Sequence, residues 1–191
     1  MEQRAAAGDA AGCWLVLVYK MAPEPARQRI AVWRRIKALG AVYLQQGVCA
    51  LPATPTHRAA FADLAARVRD AGGEAILLSS TFGDEQTAAG VRARYAEARN
   101  HEYEEIAIAA RRLLRHVEMA DPAERAVNVA ELERLRRWQA RVVARDFFGA
   151  PLQRPTAELL QATEAALHGG QRGADGEPRS AFSAARRSRD D

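Results

Sequence analysis

The sequence contains no apolar run approaching the roughly 18 residues that a membrane-spanning helix needs. Its first dozen residues carry Arg4 but lack the apolar core of a secretory signal peptide. We therefore expect a cytoplasmic protein that has no membrane partner.

Cysteine is also scarce, since Cys13 and Cys49 are the only two in the chain. Two cysteines are too few for a disulfide framework, and their separation does not match a zinc site. A free cysteine behaves as a small hydrophobic residue, so we expect both side chains to be buried.

Recognisable catalytic motifs are missing as well. The sequence has no P-loop, no G-x-G-x-x-G fingerprint and no G-x-S-x-G elbow. His101 and Glu105 have a helical spacing that can hold a metal, but no third ligand accompanies them. We interpret this pair as part of a solvated acidic helix face. The sequence therefore predicts neither an enzyme nor a metal or cofactor site.

Arginine, in contrast, is abundant. Of the 28 basic residues only Lys20 and Lys37 are lysines, and the formal net charge is +4. The guanidinium group suits bidentate contacts to phosphates and other oxyanions. The composition therefore favours an anionic partner, although a GC-rich genome would produce a similar bias.

The first half of the chain follows the pattern βαββαβ. A buried strand is predicted over residues 13–20, a helix over 26–39, and a hairpin in which Gly47 takes a positive φ. Thr54-Pro55 predicts the cap and first turn of a second helix, which a strand at 74–80 follows. This order predicts an α+β fold, a ferredoxin-like βαββαβ sandwich over residues 13–81 after a flexible leader at 1–12.

The two faces of the predicted sheet differ in what can cover them. On the first helix, Ile30, Val32, Trp33, Ile36 and Leu39 cluster on one side, and the cations point largely the other way. Strands one and three are apolar on both faces. The second face should therefore be covered by the remaining helices or by a second copy of the chain.

The second half of the chain predicts a helical extension over residues 82–168. Its helices are expected at about 84–118, 123–147 and 156–167, and Asp121-Pro122 provides the cap and start of the middle one. Residues 169–191 are rich in Gly, Arg, Ser and Asp, which predicts a disordered tail.

Two basic clusters are the strongest functional signal. The first helix carries Arg29 among its five cations, and a later helix carries arginines at spacings of 3, 4 and 4 beside Trp138. Guanidinium groups next to an aromatic side chain suit a phosphate backbone and its bases. The alternative is a solvated face supported by Glu131 and Glu133. The predicted DNA-binding residues are Arg27, Arg34, Arg35, Lys37, Arg134, Arg137, Arg141 and Arg145.

Several segments resemble the N-terminal part of the ChrB family of chromate-resistance regulators. They are residues 14–20 (WLVLVYK), 29–37 (RIAVWRRIK), 39–45 (LGAVYLQ), 47–52 (GVCALP) and 144–151 (ARDFFGAP). The resemblance extends from about Trp14 to Leu167. It implies a chromate-responsive transcriptional regulator that binds promoter DNA of a chromate-resistance operon, with the chromate oxyanion as its effector.

The chain is also similar to the ferredoxin-like domain of phenylacetate-pathway repressors and to small CRISPR-associated endoribonucleases. Those nucleases need an acidic residue at the end of strand one. The corresponding place here holds Tyr19-Lys20-Met21, which argues against metal-dependent cleavage.

ChrB-type proteins usually carry a second, C-terminal domain of comparable size, where this sequence has a charged tail. The alternative interpretation is therefore a homodimeric, non-catalytic interaction module that serves a separately encoded ChrB C-terminal-type protein. Chromate would be held by arginines, or sensed by Cys13 and Cys49 if these lie on neighbouring strands. Burial would raise the pKa of such thiols and make them unreactive.

Overall fold

The computed structural model describes residues 12–22, 26–119 and 124–174. In these residues the fold is α+β, with a four-stranded antiparallel sheet and five helices. The predicted leader up to residue 11, the Asp121-Pro122 cap and the tail beyond residue 174 lie outside the described residues.

Strands and helices follow one another in the predicted order. The strands are β1 (Trp14–Lys20), β2 (Val42–Gln45), β3 (Val48–Pro52) and β4 (Glu74–Ser80). The helices are α1 (Ala26–Leu39), α2 (Pro55–Asp70), α3 (Glu85–Met119), α4 (Arg125–Val143) and α5 (Gln153–Ala174).

The sheet has the strand order β2-β3-β1-β4, and each neighbouring pair is antiparallel. In the central strand β1, Leu17 lies opposite Cys49 of β3 and Leu77 of β4. The helices α1 and α2 cover one face, where Leu17 joins a buried core with Ile36 and Phe61. The central position of β1 explains why its sequence is a continuous apolar run.

Two local predictions of the sequence are confirmed. Thr54 Oγ1 accepts a hydrogen bond of 3.1 Å from the backbone N–H of His57, with Pro55 in the first turn of α2. Gly47 turns the β2–β3 hairpin with φ 73°, and a Cβ there would lie 2.5 Å from the carbonyl oxygen of Tyr19. The tip of the hairpin is therefore held directly against the end of β1.

The second face of the sheet is covered over only half of its width. Trp14, Val42 and Ala50 form a buried cluster with Val91 and Tyr95 of α3. The remaining helices thus provide the cover that the doubly apolar strands require, but they do so on the β2–β3 side.

Among the residues that the structure describes, none forms a comparable buried cluster over the β4 side of this second face. There Val18 lies opposite Ile76, and Val16 lies opposite Leu78. The side chains of Ile76 and Leu78 are 58% and 45% exposed. Val16 packs partly against the cluster around Trp14, so the name open face is given to Val18, Ile76 and Leu78.

The helices α3, α4 and α5 pack around a second core that includes Tyr103, Leu135 and Leu160. The helix α4 ends at Val143, not at residue 147 as predicted. The Asp146 carboxylate accepts hydrogen bonds from the backbone N–H groups of residues 149 and 150, each 3.0 Å long. This local turn replaces the next turn of helix.

The last helix is longer than predicted, because α5 continues to Ala174, past residue 168 where the helical extension was expected to end. Within the described ranges, no helix has the length and apolarity that crossing a membrane would require.

Two consecutive phenylalanines after α4 connect the helical extension to the βαββαβ unit. Phe147 packs against the core under α1 and α2, where its ring meets the His57 ring edge-on at 4.9 Å. Phe148 stacks on Trp14 of β1 with ring centroids 5.6 Å apart. The two halves of the chain therefore share aromatic packing and form one folded body.

The hairpin geometry predicts the effect of one substitution. Gly47→Ala should lower the free energy of unfolding by about 1–3 kcal/mol, because alanine is strained at this φ and its Cβ meets the Tyr19 carbonyl. Denaturation by urea measures the change. Gly90→Ala in α3 is the control, since nothing lies within 4 Å of its Cβ position, and should stabilise by up to about 1 kcal/mol. An unchanged midpoint for Gly47→Ala would contradict the described turn.

Candidate nucleic-acid interface

The helix α1 presents a basic surface without compensating acids. It carries five cations and no carboxylate, and all five side chains are exposed. None of them forms an ion pair with another described residue. Their charge is therefore available to an external phosphate. The five cations are Arg27, Arg29, Arg34, Arg35 and Lys37.

Arg35 also acts on the neighbouring helix. The hydrogen bond from Arg67 lowers the pKa of the Asp63 carboxyl on α2, and the positive charge of Arg35 lowers it further. Because both groups are exposed to solvent, this attraction is weak. Arg35 therefore remains part of the free basic surface.

The buried side of α1 is narrower than the sequence predicted. Val32 and Ile36 are buried, whereas Ile30 and Trp33 are 44% and 48% exposed. Successive residues are about 100° apart around a helix, so Trp33 falls on the flank of the Val32–Ile36 side. Ile30 and Trp33, which the sequence groups with Val32 and Ile36 on one apolar side, are therefore exposed beside the cations.

The predicted arginine stripe on α4 is largely paired with carboxylates. Arg134 donates to Glu131 through two hydrogen bonds of 2.6 and 2.7 Å, and Arg137 lies 3.5 Å from Glu133. The hydrogen bond from Arg134 lowers the pKa of the Glu131 carboxyl. Arg141 is exposed and has no carboxylate partner among the residues that the structure describes. The stripe therefore carries less free charge than α1.

Arg145 lies beyond the end of α4 and its guanidinium has internal partners. It donates to the Glu102 carboxylate at 2.6 Å and to the backbone carbonyls of Lys37 and Arg141 at 3.1 and 3.0 Å. Glu102 also pairs at 2.8 Å with Arg99, whose side chain is only 5% exposed. We therefore assign Arg145 a structural role.

The same contact brings the two basic helices together. The hydrogen bond from Arg145 to the Lys37 carbonyl joins the C-terminal end of α4 to that of α1. Gly40 permits this approach, because it has φ 78° and a Cβ at this position would lie 2.8 Å from the Arg145 Cβ. Lys37 and Arg141 therefore lie at the same end of the molecule, a proximity that the sequence did not reveal.

The exposed aromatic residue beside the free cations is Trp33 and not Trp138. Trp138 is partly buried and packs against the core of the helical extension. Trp33 follows Arg29 by four residues and precedes Lys37 by four, which places all three on one flank of α1. This spacing was visible in the sequence, where Trp33 was grouped with the apolar side of the helix.

The cysteines do not form a reactive pair. Cys49 is buried as predicted, and burial raises the pKa of its thiol to about 12, so the thiol stays protonated and unreactive. Cys13 is half-buried. It precedes Leu17, the partner of Cys49, by four residues, so the two thiols lie at different positions along the neighbouring strands.

Groups that could hold a metal are also not assembled in the described parts of the chain. No cluster of three or more His, Cys, Asp or Glu side chains occurs there. His101 and Glu105 approach each other to 3.5 Å on the surface of α3, which agrees with their interpretation as a solvated face.

Comparison with known proteins relates this chain to one family. The family model described as "Protein ChrB, N-terminal" matches residues 29–171. Protein ChrB of Cupriavidus metallidurans is 37% identical over 92 residues, which are 48% of this chain and 28% of that protein. The match thus covers well under half the length of this relative. The family match includes four of the five α1 cations and the segment that carries Arg145.

The structural role of Arg145 leads to a testable difference between two neighbouring arginines. Arg145→Ala should lower the free energy of unfolding by about 2–3 kcal/mol, because it leaves Glu102 and the Lys37 carbonyl without a donor. Arg141→Ala, one turn earlier and exposed, should change stability by no more than about 0.5 kcal/mol. Urea denaturation followed by circular dichroism compares the two. Equal stabilities would show that Arg145 does not hold the helices together.

Proposed function

This chain belongs to the ChrB N-terminal family, and we propose that it is the DNA-binding part of a regulator of chromate resistance, with α1 as the contact surface. The observation that carries the proposal is the free charge of α1, whose five exposed cations have no carboxylate partner among the described residues. The role is non-enzymatic, and its proposed location is the cytoplasm.

The dimensions of α1 suit a DNA groove. Fourteen residues give a helix about 21 Å long at 1.5 Å per residue, and the major groove is about 12 Å wide. Cations at the two ends of the helix, such as Arg27 and Lys37, can therefore contact phosphates on opposite sides of the groove. Contacts of this kind supply affinity and orientation and little base specificity.

The effector and the partner belong to the same proposal. The chromate oxyanion is a tetrahedral dianion, and guanidinium groups bind such anions through charge-assisted hydrogen bonds. The curated relative extends well beyond the 28% of its length that matches here. We propose a separate protein of the ChrB C-terminal type as a further partner of this chain.

The βαββαβ unit itself is proposed to be a ferredoxin-like sandwich. Counted from the β4 edge, its strands follow the order β4-β1-β3-β2 with antiparallel neighbours. Two helices share one face with the core residues of β1. Both features support the assignment that the sequence pattern suggested.

Charge removal on the two basic helices tests the proposed contact surface. Arg27→Gln with Arg34→Gln and Arg35→Gln should weaken binding to duplex promoter DNA by roughly tenfold or more. The salt slope should fall by about 0.9 for each phosphate that the variant no longer neutralises. Fluorescence anisotropy at several salt concentrations measures both quantities.

The matched control removes three charges from α4, by Arg134→Gln with Arg137→Gln and Arg141→Gln. Its effect should be smaller, because two of these arginines already have carboxylate partners. A larger loss in the α4 variant would move the interface to α4. Lack of duplex binding by the wild type at about 50 mM salt would overturn the proposed function.

The open face supports a second candidate function, a homodimeric interaction module. Ile76 and Leu78 are exposed on the edge strand β4, and edge strands can pair with another chain. Between the β2–β3 hairpin and α3, a cavity of about 480 Å³ is lined by Val48, which pairs with Val18 in β1. A second copy of the chain, related by a two-fold axis, would cover this apolar surface.

Sedimentation velocity tests the dimer. The wild type should sediment as a dimer at micromolar concentration, and Ile76→Asp with Leu78→Asp should be monomeric, because two carboxylates cannot be buried without partners. Ile108→Asp, at a residue of α3 that is 43% exposed, should leave the dimer intact. A monomeric wild type would contradict this second candidate function.

A further inference from the structure

A cleft separates the exposed flank of α1 from the β2–β3 hairpin. Its volume is about 390 Å³, within the range of roughly 300–1,000 Å³ that small-molecule sites occupy. Trp33 and Ile30 of α1 form one wall. Tyr19 at the end of β1 and Tyr43 of β2 line the side formed by the sheet, together with Gln45.

The walls of the cleft suit a flat aromatic group. Trp33 and Ile30 are 48% and 44% exposed. Both would bury more of their surface if a ligand filled the cleft. An exposed tryptophan beside an aliphatic side chain provides a stacking surface for a planar ring. Stacking of a base on an aromatic side chain contributes about 1–3 kcal/mol for each base.

The two tyrosines supply a hydrogen-bonding edge. Their hydroxyl groups lie 2.8 Å apart and bond to each other. Burial raises the pKa of both phenols, so both remain protonated at neutral pH. One hydroxyl donates to the other, which leaves one proton and the remaining lone pairs for a ligand. The amide of Gln45 adds a donor and an acceptor.

The charge around the cleft is positive. Arg29 lines it directly, and no carboxylate is among the described residues that line it. Arg29, Trp33 and Lys37 share one flank of α1 at intervals of four residues. A cation is thus placed on either side of the stacking ring, an arrangement that suits a phosphate attached to a planar base.

The position of the tyrosines is fixed by the backbone. The N–H of Tyr19 donates to the Gly47 carbonyl at 2.7 Å, which holds the hairpin tip against β1. The ring of Tyr43 also packs against the core under α1 and α2. The hydrogen-bonding edge therefore exists before any ligand arrives, which lowers the entropy cost of binding.

We infer that this cleft binds one nucleotide unit, with the base against Trp33 and Ile30, the base edge at the Tyr19–Tyr43 hydroxyl pair and the phosphate at Arg29. This inference rests on the proposed nucleic-acid binding by α1, because the cleft is lined in part by that helix. The unit has two sources, an unpaired base of a bound strand or a free mononucleotide.

The experiment uses the full chain and three probes: AMP, a single-stranded DNA of about ten nucleotides, and the duplex of the same sequence. Trp33→Ala should weaken single-strand binding roughly ten- to a hundredfold while duplex affinity falls less. Trp33→Phe should restore most of the loss, because a phenyl ring still stacks. Tyr43→Phe should weaken binding of the single strand without unfolding the chain, as circular dichroism would verify.

A matched pair of charge variants separates the cleft from general electrostatics. Arg29→Gln and Arg27→Gln remove the same charge from the same helix, but only Arg29 lines the cleft. Arg29→Gln should therefore weaken single-strand binding more than Arg27→Gln. AMP binding that depends on Trp33 would assign the free nucleotide as the source. Binding of the strand alone would assign the unpaired base.

The outcomes distinguish this inference from the proposed function. Unchanged single-strand affinity in Trp33→Ala, with duplex binding intact, would overturn the nucleotide cleft and leave the DNA-binding role standing. Failure of the wild type to bind duplex, with AMP binding that depends on Trp33, would uphold the cleft and overturn the DNA-binding role.

Discussion

The shared carboxylate of Glu102 is the interaction on which the arrangement of the basic helices depends. It pairs with Arg99 at 2.8 Å and with Arg145 at 2.6 Å. Burial lowers the pKa of the Arg99 guanidinium, and the charge of Glu102 opposes this effect. A buried cation requires such a partner. Through Arg145 the same carboxylate is connected to the Lys37 carbonyl at the end of α1.

The arginines that take part in these internal contacts differ in role from the cations of α1. Arg145 links the helical extension to the βαββαβ unit, and Arg99 supports it from within the extension through Glu102 and the Arg145 carbonyl. Phe147 and Phe148 pack against Tyr95 of the same extension. The cations of α1 are exposed to solvent and form no ion pair with any carboxylate of the described residues. Of the two predicted basic clusters, α1 therefore carries more positive charge that is free to act on another molecule than α4.

The local features of the fold were predictable from the sequence because adjacent residues determine them. The hairpin at Gly47 and the cap at Thr54 follow from backbone preferences within a few residues. The apolar periods indicated the order of strands and helices. The side of α1 that Trp33 occupies was not predictable in the same way, because a 14-residue helix with only two fully buried residues has an ambiguous apolar face.

The candidate site was only partly predictable, for a related reason. Spacing alone placed Arg145 in the same stripe as Arg141, but its carboxylate partner is 43 residues away in sequence. Periodicity carries no information about such a contact. The pairing of Arg134 with Glu131 was foreseeable, since i,i+3 neighbours meet on a helix. Long-range contacts therefore decided which predicted residues remain free.

Amide chemical-shift mapping by NMR, with a short DNA duplex added to the full chain, tests the central claim most directly. If α1 is the contact surface, the largest shifts should occur in residues 27–37, with smaller ones near Arg141. Because Arg145 is held internally, its amide should shift little. Large shifts confined to α4, or no shifts in α1 at saturating DNA, would contradict the account.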